Sequence, residues 1–266
     1  MARRYNVFET NKPINHYSKF TMLNQTDRLA FFEAQSQAFA TTLASYSGRE
    51  DMIDYLLSLA FSSFDGNVAD AAAACPAIAC HKGCATCCTL RVTATAPEIL
   101  LIARYIHWLE PQDSRMNLAK RAAKANPFIQ GLNEAQRVKL RRPCPFIIKG
   151  VCMIYPVRPL ACRGHACYDK RACIDAALGK VERIPISEPH SIFRSLIQNA
   201  MQSALRDAGY AWASYELIQA VNIALSDGRS LALWAAHRDV FSAARIADID
   251  LAEMGNIFDR LKRQLN

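Results

Sequence analysis

Apolar residues recur at helical spacing over most of the chain, and the exceptions fall together in one region. From Asp27 to Tyr46, Leu29, Phe32, Ala38, Phe39 and Leu43 follow the period of a helix with one buried face. Met52, Ile53, Leu56, Leu57 and Phe61 predict a second helix from Glu50 to about Phe64, closed by the turn triplet Asp65-Gly66-Asn67. An Ala-rich piece, Val68–Ala74, leads on from there. Leu90, Val92 and Ala94 then alternate with Arg91 and Thr93, the period of two of a short half-exposed strand. Thr95 and Glu98 have the spacing of a capping box, with Pro97 in the first turn. They predict an apolar helix from Glu98 to about Leu109 at the centre of the core. Asp113 or Ser114 is placed to cap a further helix that ends before Pro127.

Helical period returns beyond Pro189, where Ile192, Phe193, Leu196, Ile197, Ala200, Met201, Ala204 and Leu205 form a broad stripe. Helices are expected at Tyr215–Leu225, stopping at Asp227-Gly228, then at Leu231–Phe241 and Leu251–Leu265. The last carries Leu251, Met254, Phe258, Leu261 and Leu265 on one face. Between these halves, Pro143–Cys173 is rich in Pro, Gly and Arg and has no helical period. No internal repeat or low-complexity tract interrupts the pattern. The expected architecture is mainly α. It has an N-terminal arm (residues 1–25) and a single mostly helical domain (26–266), with one or two short strands. Its loop-rich cysteine centre, at 75–175, is held together by metal.

Composition agrees with that picture. The 266 residues are 51% apolar with only ten glycines, enough chain for a large core and a mixture that favours helices. No apolar run approaches the ~18–20 residues of a membrane span. Asn11, Lys12, Asn15, His16 and Lys19 interrupt any apolar stretch after Arg3-Arg4, so no secretory leader is expected and the chain reads as cytoplasmic. In that compartment ten cysteines point to metal or redox chemistry rather than a disulfide scaffold.

Four of the thiols lie within nine residues, in the run Cys80-His-Lys-Gly-Cys84-Ala-Thr-Cys87-Cys88. Adjacent Cys87 and Cys88 cannot bridge each other without strain. Soft-metal coordination suits the spacing, since it needs several sulfurs about 2.3 Å from one ion. A looser group comes later at Cys144, Cys152, Cys162, Cys167 and Cys173, and Lys149-Gly150 is placed as a hairpin tip between Cys144 and Cys152. Metal can supply the order that this segment's own apolar content lacks. The sulfurs can be divided as two four-sulfur zinc sites, as one iron–sulfur cluster plus a second metal, or as one cluster with spare thiols. C-x3-C-x2-C is also the spacing by which radical-SAM enzymes hold a four-iron cluster. Those enzymes need repeated β/α units, and the strand signal here is confined to one or two short segments. No Gly-rich strand-to-helix turn offers a nucleotide site.

Other candidates are weaker. Cys75 and Cys167 read as small buried apolar side chains. His81 and His165 read as exposed rings or outer donors rather than ligands, and His190 as the neighbour of a helix cap. Arg158 and Arg163 flank Cys162 and are placed to donate to sulfurs or backbone carbonyls. Tyr155-Pro156 reads as turn packing. The formal charge of +8 counts every cysteine as neutral; eight bound thiolates with two divalent ions would halve it. Arg137, Lys139, Arg141 and Arg142, with Lys120, Arg121 and Lys124, lack interleaved aromatics and read as a solvated helix face, so no nucleic-acid partner is expected. No Ser-His-Asp arrangement, P-loop or paired-carboxylate motif stands out.

Three blocks carry a resemblance to a known family. They are Cys80–Cys88, then Cys144-Pro-Phe-Ile, then Gly150-Val-Cys152-Met-Ile-Tyr155-Pro-Val-Arg158-Pro159-Leu-Ala-Cys162-Arg163. In order and spacing they resemble the YkgJ-type cysteine-cluster family of zinc- or iron-chelating domains. Tyr215-Glu216-Leu217 is similar too. The resemblance implies eight metal-ligand cysteines, which fall on Cys80, Cys84, Cys87, Cys88, Cys144, Cys152, Cys162 and Cys173, with Cys167 the rival for the eighth place. A flagellin lysine-methylase family carries a similar block. The expectation is a cytoplasmic metal-binding protein holding Zn2+ or Fe, with a protein partner allowed and no membrane association. One alternative is an iron–sulfur enzyme, redox or methyl-transferring, with a 4Fe–4S cluster. A nucleic-acid-associated zinc protein ranks last.

Overall fold

Asn24 opens the first helix through a capping box: its side chain accepts from the Asp27 amide at 2.8 Å, and Asp27 accepts from the Asn24 amide at 3.2 Å. A computed structural model describes residues 24–73, 75–111, 116–181 and 183–264. Among those residues it is mainly α, with eleven α-helices and two two-stranded sheets. Residues 1–23 of the expected arm lie outside the described residues, as do Asp113, Ser114 and Leu265. Asn24 and Gln25, the arm's last two residues, instead cap and begin α1 (Gln25–Ser45).

α2 (Met52–Ala72) runs straight through Asp65-Gly66-Asn67, where a turn is expected from the sequence. Phe64 and Val68, four residues apart, both bury on the core side, and Asn67 donates back to the Ser63 carbonyl at 2.7 Å. A helical glycine costs only about 1 kcal/mol relative to alanine, and that burial outweighs it. α1 and α2 both pack on α8 (Glu188–Asp207), whose buried Phe193, Ile197, Ala200, Met201, Ala204 and Leu205 are the expected stripe.

The expected strand before Thr95 shrinks to β1 (Thr93–Ala94). Its partner is β4 (Tyr215–Glu216), antiparallel, with Thr93 opposite Glu216 and Ala94 opposite Tyr215. Tyr215 and Glu216 are therefore strand rather than the first turn of a helix, and α9 starts after them (Leu217–Ser226). α3 (Ala96–Leu109) carries the expected capping box and buries Ile99, Leu100, Ile102, Ala103 and Ile106. α4 (Leu118–Ile129) continues past Pro127, the expected stop. Proline removes one donor to the Ala123 carbonyl, but Ala123 and Pro127 are both exposed, on the solvent side of the helix. Ala125 and Ile129 then bury against Ile218 of α9 and carry the helix on.

α5 (Glu134–Leu140) opens on a capping box between Asn133 and Gln136. Later come a hairpin, β2 (Ile147–Ile148) and β3 (Val151–Cys152), and two short helices, α6 (Leu160–Gly164) and α7 (Lys170–Ala177). α10 (Ser230–Ala235) ends well short of Phe241 because His237 adopts φ 62 and stacks its ring on Tyr210 at 4.4 Å. α11 (Leu251–Arg263) is capped by Asp250 and buries Phe258. One large buried cluster draws residues from α1, α2, α3, α8, α9, α10 and α11. It also takes in Phe146, Ile154 and Leu160 of the cysteine-rich segment.

Two features tie that segment to the helices. Glu98, 1% exposed, accepts from the Thr95 amide at 2.7 Å and hydroxyl at 2.8 Å. Its other oxygen accepts from the Leu160 amide, the first residue of α6, at 2.7 Å. Gly164 lets α6 lie flush on α8, since a side chain there would overlap Arg194.

Candidate metal centre

The first cysteine run is a chain of tight turns. Gly83 takes φ 94, which a side chain would resist, and the amides of Cys84, Cys88 and Leu90 each bond back three residues, to His81, Ala85 and Cys87. Such turns keep four sulfurs on one short stretch. The adjacent Cys88 thiol raises the pKa of Cys87.

A second segment docks on this loop. The Cys144 amide donates to the Cys88 carbonyl at 2.7 Å, and buried Phe146 anchors the start of the β2–β3 hairpin. The hairpin turns at Lys149-Gly150, as expected, with both residues at positive φ (48 and 79). That turn brings Cys152 back towards Cys144, and Gly150 abuts the Gly83 carbonyl of the first loop. Cys162 rides on α6. Arg163 holds the approach to it, donating to the carbonyls of Arg158 (3.0 Å) and Pro156 (2.8 Å). Of the two roles open to this arginine, the backbone one is observed. Arg158 stacks over Tyr155 at 3.7 Å and its charge favours thiolates at Cys152 and Cys162.

The last segment closes on the first. The Ala79 amide donates to the Cys167 carbonyl at 2.8 Å, and the Cys167 amide to the Cys80 sulfur at 3.3 Å. Asp169 caps α7 through the amides of Arg171 (2.7 Å) and Ala172 (3.2 Å), which sets Cys173 one turn into that helix. There it neighbours Cys167. Cys75 stays apart, its thiol donating to the Ala71 carbonyl at 3.6 Å. His81 turns its Nδ1 to the Lys82 carbonyl at 3.0 Å, and His190 bonds Ser187 at 2.8 Å as the cap neighbour of α8. Burial, with Arg194 adding to it, lowers the His165 pKa.

All ten cysteines are free thiols. Desolvation raises the pKa of Cys80 and Cys152, pushes Cys144 up to about 12 and lifts Cys162 well above the ordinary range. Burial with the neighbouring Cys167 thiol pushes Cys173 up to about 12, and the Cys88 contact with burial raises Cys87. Neighbouring thiolates add to most of these shifts. A cation is the simplest group that lets such sulfurs ionise together. Among the described residues, no three Cys, His, Asp or Glu side chains already converge on one ion-sized point. An all-sulfur, largely desolvated donor set of this kind fits zinc or iron and does not suit magnesium or calcium.

Two charged side chains stand behind Cys144. Arg137 is 1% exposed, donates to the Arg142 carbonyl at 2.9 Å and faces both Cys144 and Glu216. The expected solvated face is therefore wrong at this residue, because α5 turns Arg137 inward. Glu216 caps α9, accepting from the Gln219 amide at 2.7 Å. Neither role is visible in the sequence, although Tyr215-Glu216-Leu217 stands out there by its likeness to the family.

Burial pushes the Glu216 carboxyl up to about 7, against the pull of the Gln219 amide and Arg137. Its ordinary value is 4.5, so between those pH values the folded chain binds a proton that the unfolded chain has lost. This group's contribution to stability is complete below pH 4.5 and falls as pH rises through 7, by roughly 3 kcal/mol. Glu216→Gln, which keeps the acceptor for Gln219, removes that part of the slope. Urea unfolding at pH 5 and pH 8 measures it. An identical slope in the variant contradicts the assignment.

Residues 79–178 match the model of the CxxCxxCC family, described as a "putative zinc- or iron-chelating domain". Neither a curated protein nor a solved structure matches the chain. Among the described residues, no helix is long and apolar enough to cross a membrane.

Proposed function

We propose that the chain chelates zinc or iron through the centre at 79–178, with Cys80, Cys84, Cys87, Cys88, Cys144, Cys152, Cys162 and Cys173 as ligands. One observation carries this reading. Cysteine segments far apart in sequence are laced to one another by amides of the cysteines themselves, the Cys144 amide donating to the Cys88 carbonyl and the Cys167 amide to the Cys80 sulfur. Ordinary core packing gives no reason for that pattern. The family match over the same residues supports it.

A bound zinc ion supplies folding energy, and bound iron supplies electron-transfer capacity as well. The chain's own residues set the stage for either. Tight turns hold the sulfurs, Phe146, Ile154 and Leu160 fix three loops to the core, and Glu98 fixes α6. Residues 26–266 are proposed to fold as one unit, since a single buried cluster spans α1 to α11 and the cysteine segment.

Protein purified from an air-free lysate, without chelator, decides between the metals. A colourless chain with stoichiometric zinc identifies a chelating or structural site. Brown protein with broad absorption near roughly 400 nm identifies thiolate-bound iron and revives the iron–sulfur enzyme reading. Neither metal in the purified chain would sink the proposal.

A further inference from the structure

Lys120, Lys124 and Phe128 repeat at four-residue spacing on α4, so they share one exposed face in steps of about 6 Å. The core face of the same helix buries Leu118, Ala122, Ala125 and Ile129. Beside the exposed face lies a cleft of about 220 Å3, lined by Arg121, Lys124, Ala125, Arg142, Pro143 and Pro145. Half of that lining is apolar and half is cationic.

Two of the cations are held in place without being neutralised. Arg121 donates to the carbonyls of Pro145 at 2.7 Å and Ile147 at 2.9 Å. The Arg142 guanidinium lies 3.7 Å from the centre of the Phe128 ring, yet Phe128 stays 53% exposed. Elsewhere surface arginines meet carboxylates, as in Arg49–Asp51, Arg91–Asp248 and Arg245–Asp239. Among the described residues, Lys120, Arg121, Lys124 and Arg142 make no such pair.

The sequence sets nucleic acid aside because these cations lack an interleaved aromatic, and the fold puts Phe128 among them. The carboxylates of an acidic peptide would meet the cations but leave the ring and the apolar lining without a partner. A duplex keeps its bases paired and stacked, out of reach of Phe128. An unpaired strand offers a phosphate and a flat, largely apolar base at every residue. We propose that this face of α4, with residues 142–145, binds single-stranded nucleic acid. Lys120, Arg121, Lys124 and Arg142 take phosphates, and a base stacks on Phe128. Binding tolerates any base sequence, since every base has a π-face.

Fluorescence anisotropy tests this, with a labelled oligothymidylate of about 20 residues and the full chain purified without air or chelator. With about three or four phosphates neutralised, log K should fall against log salt with a slope of about −2 to −3. Lys124→Ala should flatten that slope by about 0.7. Phe128→Leu should weaken binding about 5–50-fold and leave the slope unchanged. Arg49→Ala removes an equal charge from the α1–α2 turn and should change neither. Circular dichroism and metal analysis check that each variant keeps its fold and its metal. No binding at about 50 mM salt overturns the proposal, as does wild-type affinity in Phe128→Leu. Equal effects of Lys124→Ala and Arg49→Ala overturn it too, since net charge alone would then explain the binding. Equal affinity for a duplex of the same length overturns the single-strand reading, and equal affinity for polyglutamate assigns the face to an acidic protein instead. None of these side chains is a proposed metal ligand, so each such failure leaves the chelation reading standing.

Discussion

Stripping the metal from the folded chain raises amide exchange across Ala79–Leu90, the β2–β3 tip and Cys167–Cys173 by at least about 100-fold, or ~3 kcal/mol of local stability. The long helices α1, α2, α8 and α9 change little. The reason is anchorage. Structural zinc contributes on the order of 10 kcal/mol in small peptides that have no core of their own. Here Phe146, Ile154 and Leu160 are already fixed in the main cluster, so part of the segment stays docked without metal. The stretches between the anchors are held mostly by turns and by thiols with raised pKa values. Without a cation those thiols stay protonated and make only weak bonds. Hydrogen exchange followed by mass spectrometry, with and without an air-free chelator, reads the effect peptide by peptide. Equal exchange in the three cysteine stretches would contradict it.

Glu98→Ala is expected to destabilise the fold by roughly 3–6 kcal/mol, since it strands donors in a site that water cannot reach. Three donors converge on this carboxyl: the Thr95 amide, the Thr95 hydroxyl and the Leu160 amide. Each buried donor left without an acceptor costs about 1–3 kcal/mol, and a chain of this size loses roughly 2–4 °C of melting temperature per kcal/mol. The melting temperature should therefore fall by roughly 6–24 °C. Metal affinity falls with it, because Leu160 is the first residue of the helix that bears Cys162. Glu98→Gln keeps two acceptor lone pairs and should lose far less, about 1–2 kcal/mol. Thermal unfolding of the two variants checks this; because Gln keeps the side-chain volume, equal losses would show that the second carboxylate oxygen, which accepts from Leu160, dominates. Burial raises the Glu98 pKa, so its own pH trend runs in the same direction as that of Glu216.

Helices with a continuous apolar stripe are legible in the sequence, and so are the Thr95–Glu98 cap and the Lys149-Gly150 hairpin. Each depends on residues close together in the chain. Local signals mislead where distant contacts override them. Gly66 and Pro127 look like stops, but Phe64 with Val68, and Ala125 with Ile129, bury enough surface to carry their helices through. Tyr215 and Glu216 look helical until β1 pairs with them. Arg137 looks solvated because Glu216, one of the charged groups it faces, is far away in sequence. Cys167 is buried as the sequence suggests, but its hydrogen bonds to Ala79 and Cys80 span more than eighty residues, and no spacing rule announces them. Nothing in the sequence marks how the sulfurs pair, because turns and hairpins close each loop while the loops find one another only in the fold.

Sulfurs from separate segments are proposed to share metal. X-ray absorption at the edge of the metal found in the air-free protein tests it most directly. A nearest shell made of sulfur alone is predicted, at about 2.3 Å, with four neighbours per ion. A first shell of nitrogen or oxygen, at about 2.0–2.2 Å, would contradict it.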